Sequence, residues 1–166
     1  MMRFFTLTGL SLLLTACGLQ PLYSGGSNGV VASTLSSVSV DPIQGKAGWL
    51  MRNALGDRLG ASGSDAPRYR LVVALDDQIE GFGVRADDTV TRERRTLRAR
   101  YQLIENATGA TLVDATAGSD AGIDVVSSEY ATIAGENSAL ENLSGRVADQ
   151  IVTRLSLYAR QTNTAE

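Results

Sequence analysis

Apolar residues recur along the chain at two spacings, and the places where one gives way to the other mark its elements. Leu35, Val38 and Val40 stand among serines in a run stopped by Asp41-Pro42, which predicts a first strand over residues 35–40. Met51, Ala54, Leu55 and Leu59 follow at intervals of three and four, predicting a helix over residues 47–59 closed by Gly60. Alternation returns with Tyr69, Leu71, Val73 and Leu75 in a second strand, residues 68–79. It returns again with Leu97, Ala99, Tyr101 and Leu103 on one side of a long third strand, residues 89–104. The polar run from Glu105 to Gly109 makes a hairpin loop to a fourth strand. That strand starts at Ala110, reaches about Ala117 and continues irregularly past Gly118 and Gly122 toward Val126. Finally, Leu140, Leu143, Val147, Ile151, Leu155 and Tyr158 line one side of a long helix over residues 128–160. Gly135 and Gly145 each weaken it by about 1 kcal/mol relative to alanine, so its first third is expected to be loose.

The element order is thus β-α-β-β-β-α, without internal repeats. Every stripe is one-sided. The arrangement that buries them all is an α+β sandwich: a four-stranded, mostly antiparallel sheet with two helices packed on one face.

Composition narrows the chemistry. The chain has 166 residues, enough for one domain with a real core. It has no histidine and one cysteine. Serine–histidine and cysteine–histidine nucleophile pairs, histidine general bases and histidine-ligated metals are therefore excluded. So are an intramolecular disulfide, a CxxC redox pair and a cysteine-rich zinc site. A formal charge of −3 is not that of a dedicated nucleic-acid binder. No cofactor or metal is implied.

The cysteine has a clear place. Met1-Met2-Arg3 precedes an apolar run from Phe4 to Leu14, which as a helix would be about 16 Å long, half of a hydrocarbon core of about 30 Å. That suits a cleaved signal peptide rather than a span. Leu14-Thr15-Ala16-Cys17 has the leucine, small, small, cysteine order of a bacterial lipobox. Residues 1–16 then form a lipoprotein signal peptide, and Cys17 becomes the lipidated first residue. Acyl chains at about 0.8 kcal/mol per buried methylene would hold it on a membrane. Gly18, where an aspartate would favour inner-membrane retention, points to the outer membrane. Residues 17–34, with Pro21, Gly25-Gly26 and Gly29, read as a tether to a single domain over residues 35–166. Within that tether, Gln20-Pro21-Leu22-Tyr23 is unusually apolar for a spacer.

Three further signals compete for function. Gly81-Phe82-Gly83-Val84-Arg85-Ala86 matches G-x-G-x-x-A, but Asp87-Asp88 and a strand follow where a dinucleotide site needs a helix, so a strand connection is the better reading. Asp76-Asp77 point to opposite faces of a strand and cannot share a proton or a metal; like Asp87-Asp88 they read as turn or strand-end charges. A glycan hydrolase built on carboxylates needs two of them facing one cleft about 5–9 Å apart, and the chain offers no such pair. The third signal is stronger. Arg92, Arg94, Arg95, Arg98 and Arg100 crowd the third strand with Glu93 the only acid. Period two puts Arg92, Arg94, Arg98 and Arg100 on the face opposite Leu97, Ala99 and Tyr101. If Ile104 pairs with Ala110 across the hairpin, Arg100 faces Asp114 and Arg94 faces Asp120, while Tyr101, Ala99 and Leu97 meet Val113, Ala115 and Ala117. Arg92 and Arg98 are then left over, with Asp76 in reach of one of them. The stripe is either a solvated ion-pair face or an anion site centred on Arg92 and Arg98.

The lipobox, the run Cys17-Gly18-Leu19-Gln20-Pro21-Leu22-Tyr23 and the β-α-β-β-β-α order together resemble the LptE family of lipopolysaccharide-assembly lipoproteins. Alphaproteobacterial members commonly read CGFQPLY, and Leu19 keeps an apolar residue where phenylalanine is usual. The resemblance implies an outer-membrane lipoprotein on the periplasmic side, non-enzymatic, that plugs a large LptD-type β-barrel in the lipopolysaccharide translocon. It also implies contact with lipopolysaccharide through basic residues on the sheet, for which Arg92, Arg98, Arg94 and Arg100 are the candidates. The rival reading is an auxiliary lipoprotein of an envelope transporter for phospholipid.

Overall fold

The computed structural model describes residues 29–60, 66–84 and 90–164. The expected signal peptide, Cys17, the Gln20–Tyr23 segment and Asp87-Asp88 lie outside them. The elements are α1 (Val30–Ser36), β1 (Val38–Val40), α2 (Gly45–Leu59), β2 (Tyr69–Val84), β3 (Val90–Glu105), β4 (Thr111–Asp124) and α3 (Glu129–Thr164). They form the expected α+β sandwich, a four-stranded sheet in the order β1-β2-β3-β4. β1 runs parallel to β2, and the other pairs are antiparallel.

The difference from expectation is a third helix. Residues 30–34 read as linker for their neighbouring glycines, and Leu35 read as strand; all are helical. Val31 and Leu35 lie four apart and are both buried, so the helical stripe begins upstream of the period-two pair Val38 and Val40. The Ser37 hydroxyl donates to the Thr34 carbonyl at 2.7 Å where the helix stops. Only three residues remain for β1.

The other elements lie close to their predicted places. The core joins Leu71, Leu97, Ala99, Tyr101 and Leu103 of the sheet to Leu140, Leu143, Val147, Ile151 and Leu155 of α3 and Met51 and Leu55 of α2. α3 is continuous across Gly135 and Gly145. A Cβ on Gly135 would stand 3.4 Å from the Ile123 side chain, so this position of the helix lies against the sheet. α2 and α3 run side by side in the same direction: Lys46 donates to Asn137 at one end, and Arg58 donates to both oxygens of Asp149 at the other. Among the described residues no helix is long and apolar enough to cross a membrane.

The β3–β4 register departs from the predicted one in an instructive way. Ile104 pairs with Thr111, and an irregularity then leaves Leu103 opposite Val113, with Leu112 as the extra residue. Beyond it Tyr101 meets Ala115 and Ala99 meets Ala117. The ladder is offset by two residues from the predicted one. A slip of two keeps every side chain on its face while changing its partner.

Two features test this packing. A Cβ on Gly48 would fall 2.4 Å from the Ile43 carbonyl oxygen, a backbone atom. Gly48→Ala is expected to cost about 1–3 kcal/mol in urea denaturation, and a wild-type midpoint would contradict it. The Asp149 carboxyl is held below its ordinary 3.8, first by the hydrogen bond from Arg58. A depressed folded value contributes stability that is complete above pH 3.8 and is lost as pH falls through the folded value. Asp149→Asn should therefore show a shallower acid loss in thermal melts below that pH; an unchanged acid limb would count against the pair.

Candidate functional site

The helices cover one face of the sheet and leave the other open. Parity on β3 decides what each face receives. Burial of Leu97, Ala99, Tyr101 and Leu103 turns Arg92, Arg94, Arg98 and Arg100 outward, and all four are exposed. The predicted basic stripe is therefore present on the uncovered face.

Its counter-charges are those predicted only in part: Arg100 keeps Asp114, and the others change. Arg92 Nε donates to Asp124 Oδ1 at 2.9 Å, the residue directly across the ladder. Arg100 sits opposite Thr116 and reaches back diagonally to Asp114, at 3.3 and 3.1 Å. Gln102 donates to the same carboxylate at 2.8 Å. Hydrogen bonds from Arg100 and then Gln102 hold the Asp114 carboxyl below its ordinary value. Both ion pairs are solvent-exposed, and exposed pairs contribute about 0–1 kcal/mol. An incoming anion can displace either one at small cost.

Arg94 was expected to face Asp120 but faces Gly122, and Asp120 faces Thr96. The Arg94 guanidinium lies 5.3 Å over the Phe82 ring instead. Arg98 stands between Asp76 of β2 and Gly118 of β4. Its side chain lies across the glycine: a Cβ there would be 2.5 Å from Arg98 Cδ. Asp76 takes a hydrogen bond from Gln78 at 2.7 Å. Among the described residues, Arg94 and Arg98 make no ion pair. The two uncommitted cations are thus Arg94 and Arg98, where the sequence pointed to Arg92 and Arg98. The two-residue register offset is the reason.

One contact escaped the sequence reading. Asp77, taken for a turn or strand-end charge, lies in mid-strand on the core side of β2, directly opposite Leu97 and diagonal to Arg95. Arg95 donates to both Asp77 oxygens at 2.8 and 2.6 Å, and its Nη1 donates to the Glu136 carbonyl of α3 at 2.9 Å. The two side chains are only 11% and 22% exposed. The hydrogen bonding to Asp77 leads the rise in the Arg95 pKa above its ordinary value. This fork ties the sheet to the first turns of α3. Its signal was legible: Asp77 shares the parity of Leu75, and Arg95 that of Leu97. As for the G-x-G-x-x-A motif, Gly81 to Val84 are the last residues of β2.

Comparison with known proteins bears on this fold as a whole. The family model LptE, Lipopolysaccharide-assembly, matches residues 35–155. A Caulobacter crescentus CB15 crystal structure, described as a lipoprotein, is 25% identical with a TM-score of 0.67 and covers 78% of this chain and 96% of its own. Two more distant structures share the fold. The minor lipoprotein of Acinetobacter baumannii has 16% identity and a TM-score of 0.57, over 72% of this chain and 90% of its own. The rare lipoprotein B of Shewanella oneidensis has 11% identity and a TM-score of 0.56, over 78% and 97%. No curated protein sequence matches the chain.

The Arg95 fork carries its own test. Arg95→Leu strands a half-buried carboxylate and should cost about 2–3 kcal/mol in urea denaturation. Arg95→Leu with Asp77→Leu should recover most of that loss. A double variant as unstable as the single one would show that the pair has no such role.

Proposed function

The chain belongs to the LptE lipopolysaccharide-assembly family, and we propose that it is the lipid-anchored, non-enzymatic partner that sits in an LptD-type outer-membrane β-barrel. The family match over residues 35–155 carries this reading. Cys17 would take the lipid and hold the domain on the periplasmic side of the outer membrane. A compact sandwich with one polar, open sheet face suits a plug: its helices are satisfied by their own core, and its strands present charge to a polar lumen. The match lies with lipopolysaccharide assembly and not with phospholipid trafficking, which sets the transporter-accessory reading aside.

Within that role, the open face would meet the phosphates of lipid A. Arg94 and Arg98 supply uncommitted guanidinium groups, and Arg92 and Arg100 are held only by exposed pairs that a phosphate can replace. The planar guanidinium donates two parallel hydrogen bonds to phosphate and stays charged at every physiological pH. Phe82, beside Arg94, adds an apolar surface that an acyl chain can cover.

Two measurements test the proposal. Affinity purification of the tagged chain from solubilised outer membranes should recover a large β-barrel protein in stoichiometric amount; recovery of the chain alone would refute the plug. Arg94→Glu with Arg98→Glu should weaken binding of purified lipopolysaccharide about tenfold or more, given about 1.5–3 kcal/mol for each charge-assisted contact. Unchanged binding by a variant with a native circular-dichroism spectrum would leave the barrel role without the lipid contact.

A further inference from the structure

β4 lies at the edge of the sheet: β3 pairs with it on one side, and among the described residues no strand lies on the other. Parity tells which of its backbone groups face the open side. The Val125 amide donates to the Thr91 carbonyl at 3.0 Å, and the ladder from Leu103–Val113 to Arg92–Asp124 is regular. Odd-numbered residues of this stretch therefore direct their N–H and C=O groups to β3, and even-numbered residues direct theirs away. Gly118 shows the second half directly. Its amide donates to Gln150 Oε1 and its carbonyl accepts from Gln150 Nε2, both at 3.2 Å. The carboxamide from α3 thus occupies the edge as a strand one residue long. Farther along, the Val126 amide donates to Thr132 Oγ1 at 3.4 Å.

Between these two caps the edge is open. Asp120, Gly122 and Asp124 are exposed, and their edge-facing backbone groups have no partner among the described residues. A groove of about 340 Å³ runs along the same stretch, between the edge and α3. Ile123 and Ala139 give it a little apolar surface, with Leu143 buried behind them, and Arg146 also lines it. Unpaired backbone next to a groove is the geometry in which an extended peptide adds to a sheet.

We infer that this gap docks an extended strand from a partner protein, basic on its outward side and apolar on its inner side, as a fifth strand of the sheet. The charge pattern selects that occupant. The outward side chains of the gap are Asp120 and Asp124, and Asp120 makes no ion pair among the described residues. On its other side β4 already meets arginines in this way, Arg92 on Asp124 and Arg100 on Asp114. A second copy of β4 would instead set aspartates against aspartates, which is destabilising. On the inner side Arg146 repels a cation, whereas Ile123 and Ala139 favour an apolar residue. Gly122 has nothing within 4 Å of where a Cβ would stand, so a long cationic side chain can lie across it, as Arg98 lies across Gly118.

The probe is an eight-residue peptide of alternating arginine and valine, added to the purified full chain. It should slow amide exchange at Gly122 and Asp124 at least tenfold, and Asp120→Lys should weaken its binding about tenfold. Gly122→Pro deletes an edge donor that an outer strand can spare and should abolish binding, while Gly122→Ala should retain it. The same peptide with alternate amides N-methylated keeps its charge but cannot pair, and it should not bind. Equal binding of the methylated peptide would reduce the effect to bare charge attraction and overturn the inference. So would equal binding of a glutamate–valine peptide, or protection that appears only elsewhere in the chain.

Discussion

Burial of Leu97, Ala99, Tyr101 and Leu103 on one side of β3 orients every other group on the sheet. β3 is paired on both sides over nearly its whole length, so its parity passes to β2 and β4 through the ladders. With those four side chains under the helices, four arginines must face out, and Arg95 must face in. The same parity directs the free backbone groups of β4 to even-numbered residues. The basic stripe, the buried fork at Arg95 and the gap at the β4 edge are thus three results of one packing decision. A slip of one residue would bury the stripe and empty the core.

This dependence explains which parts of the fold were legible in the sequence. Face assignments rest on period two and survive a register error of two; partner assignments do not. Arg100 still reaches Asp114 because a diagonal neighbour lies within the span of a long side chain. Arg94 loses Asp120 because the offset puts Gly122 in its place. Nothing local marks the irregularity at Leu112, which is settled by how the hairpin closes. α1 was missed for a related reason: two buried residues four apart are a weak helical signal when glycines precede them. The long helix and long strands were read closely because each repeats its stripe many times.

The two faces of the sheet do different work with the same residue type. Arg95 is enclosed, bidentate and tied to a helix carbonyl, so its loss would expose a stranded charge to a low-dielectric setting. Arg92 and Arg100 are in water, where their pairs contribute little and exchange readily. Among the described residues Arg94 and Arg98 make no ion pair, though Glu80 and Asp76 stand opposite them on β2. An arginine's contribution here follows from its parity and depth, not from its place in a run of five. The near-neutral total charge conceals this sorting, since acids on β2 and β4 balance the stripe without covering it.

The central claim is that the open face, and not the helical face, meets lipopolysaccharide. Site-specific photocrosslinking in cells tests it most directly. Ala74 and Thr116 lie opposite Arg100 on β2 and β4 and are exposed, while Asn53 is exposed on α2. A photoreactive residue at position 74 or 116 should give adducts that carry lipopolysaccharide, and one at position 53 should not. Adducts at position 53 with none at positions 74 and 116 would contradict the account.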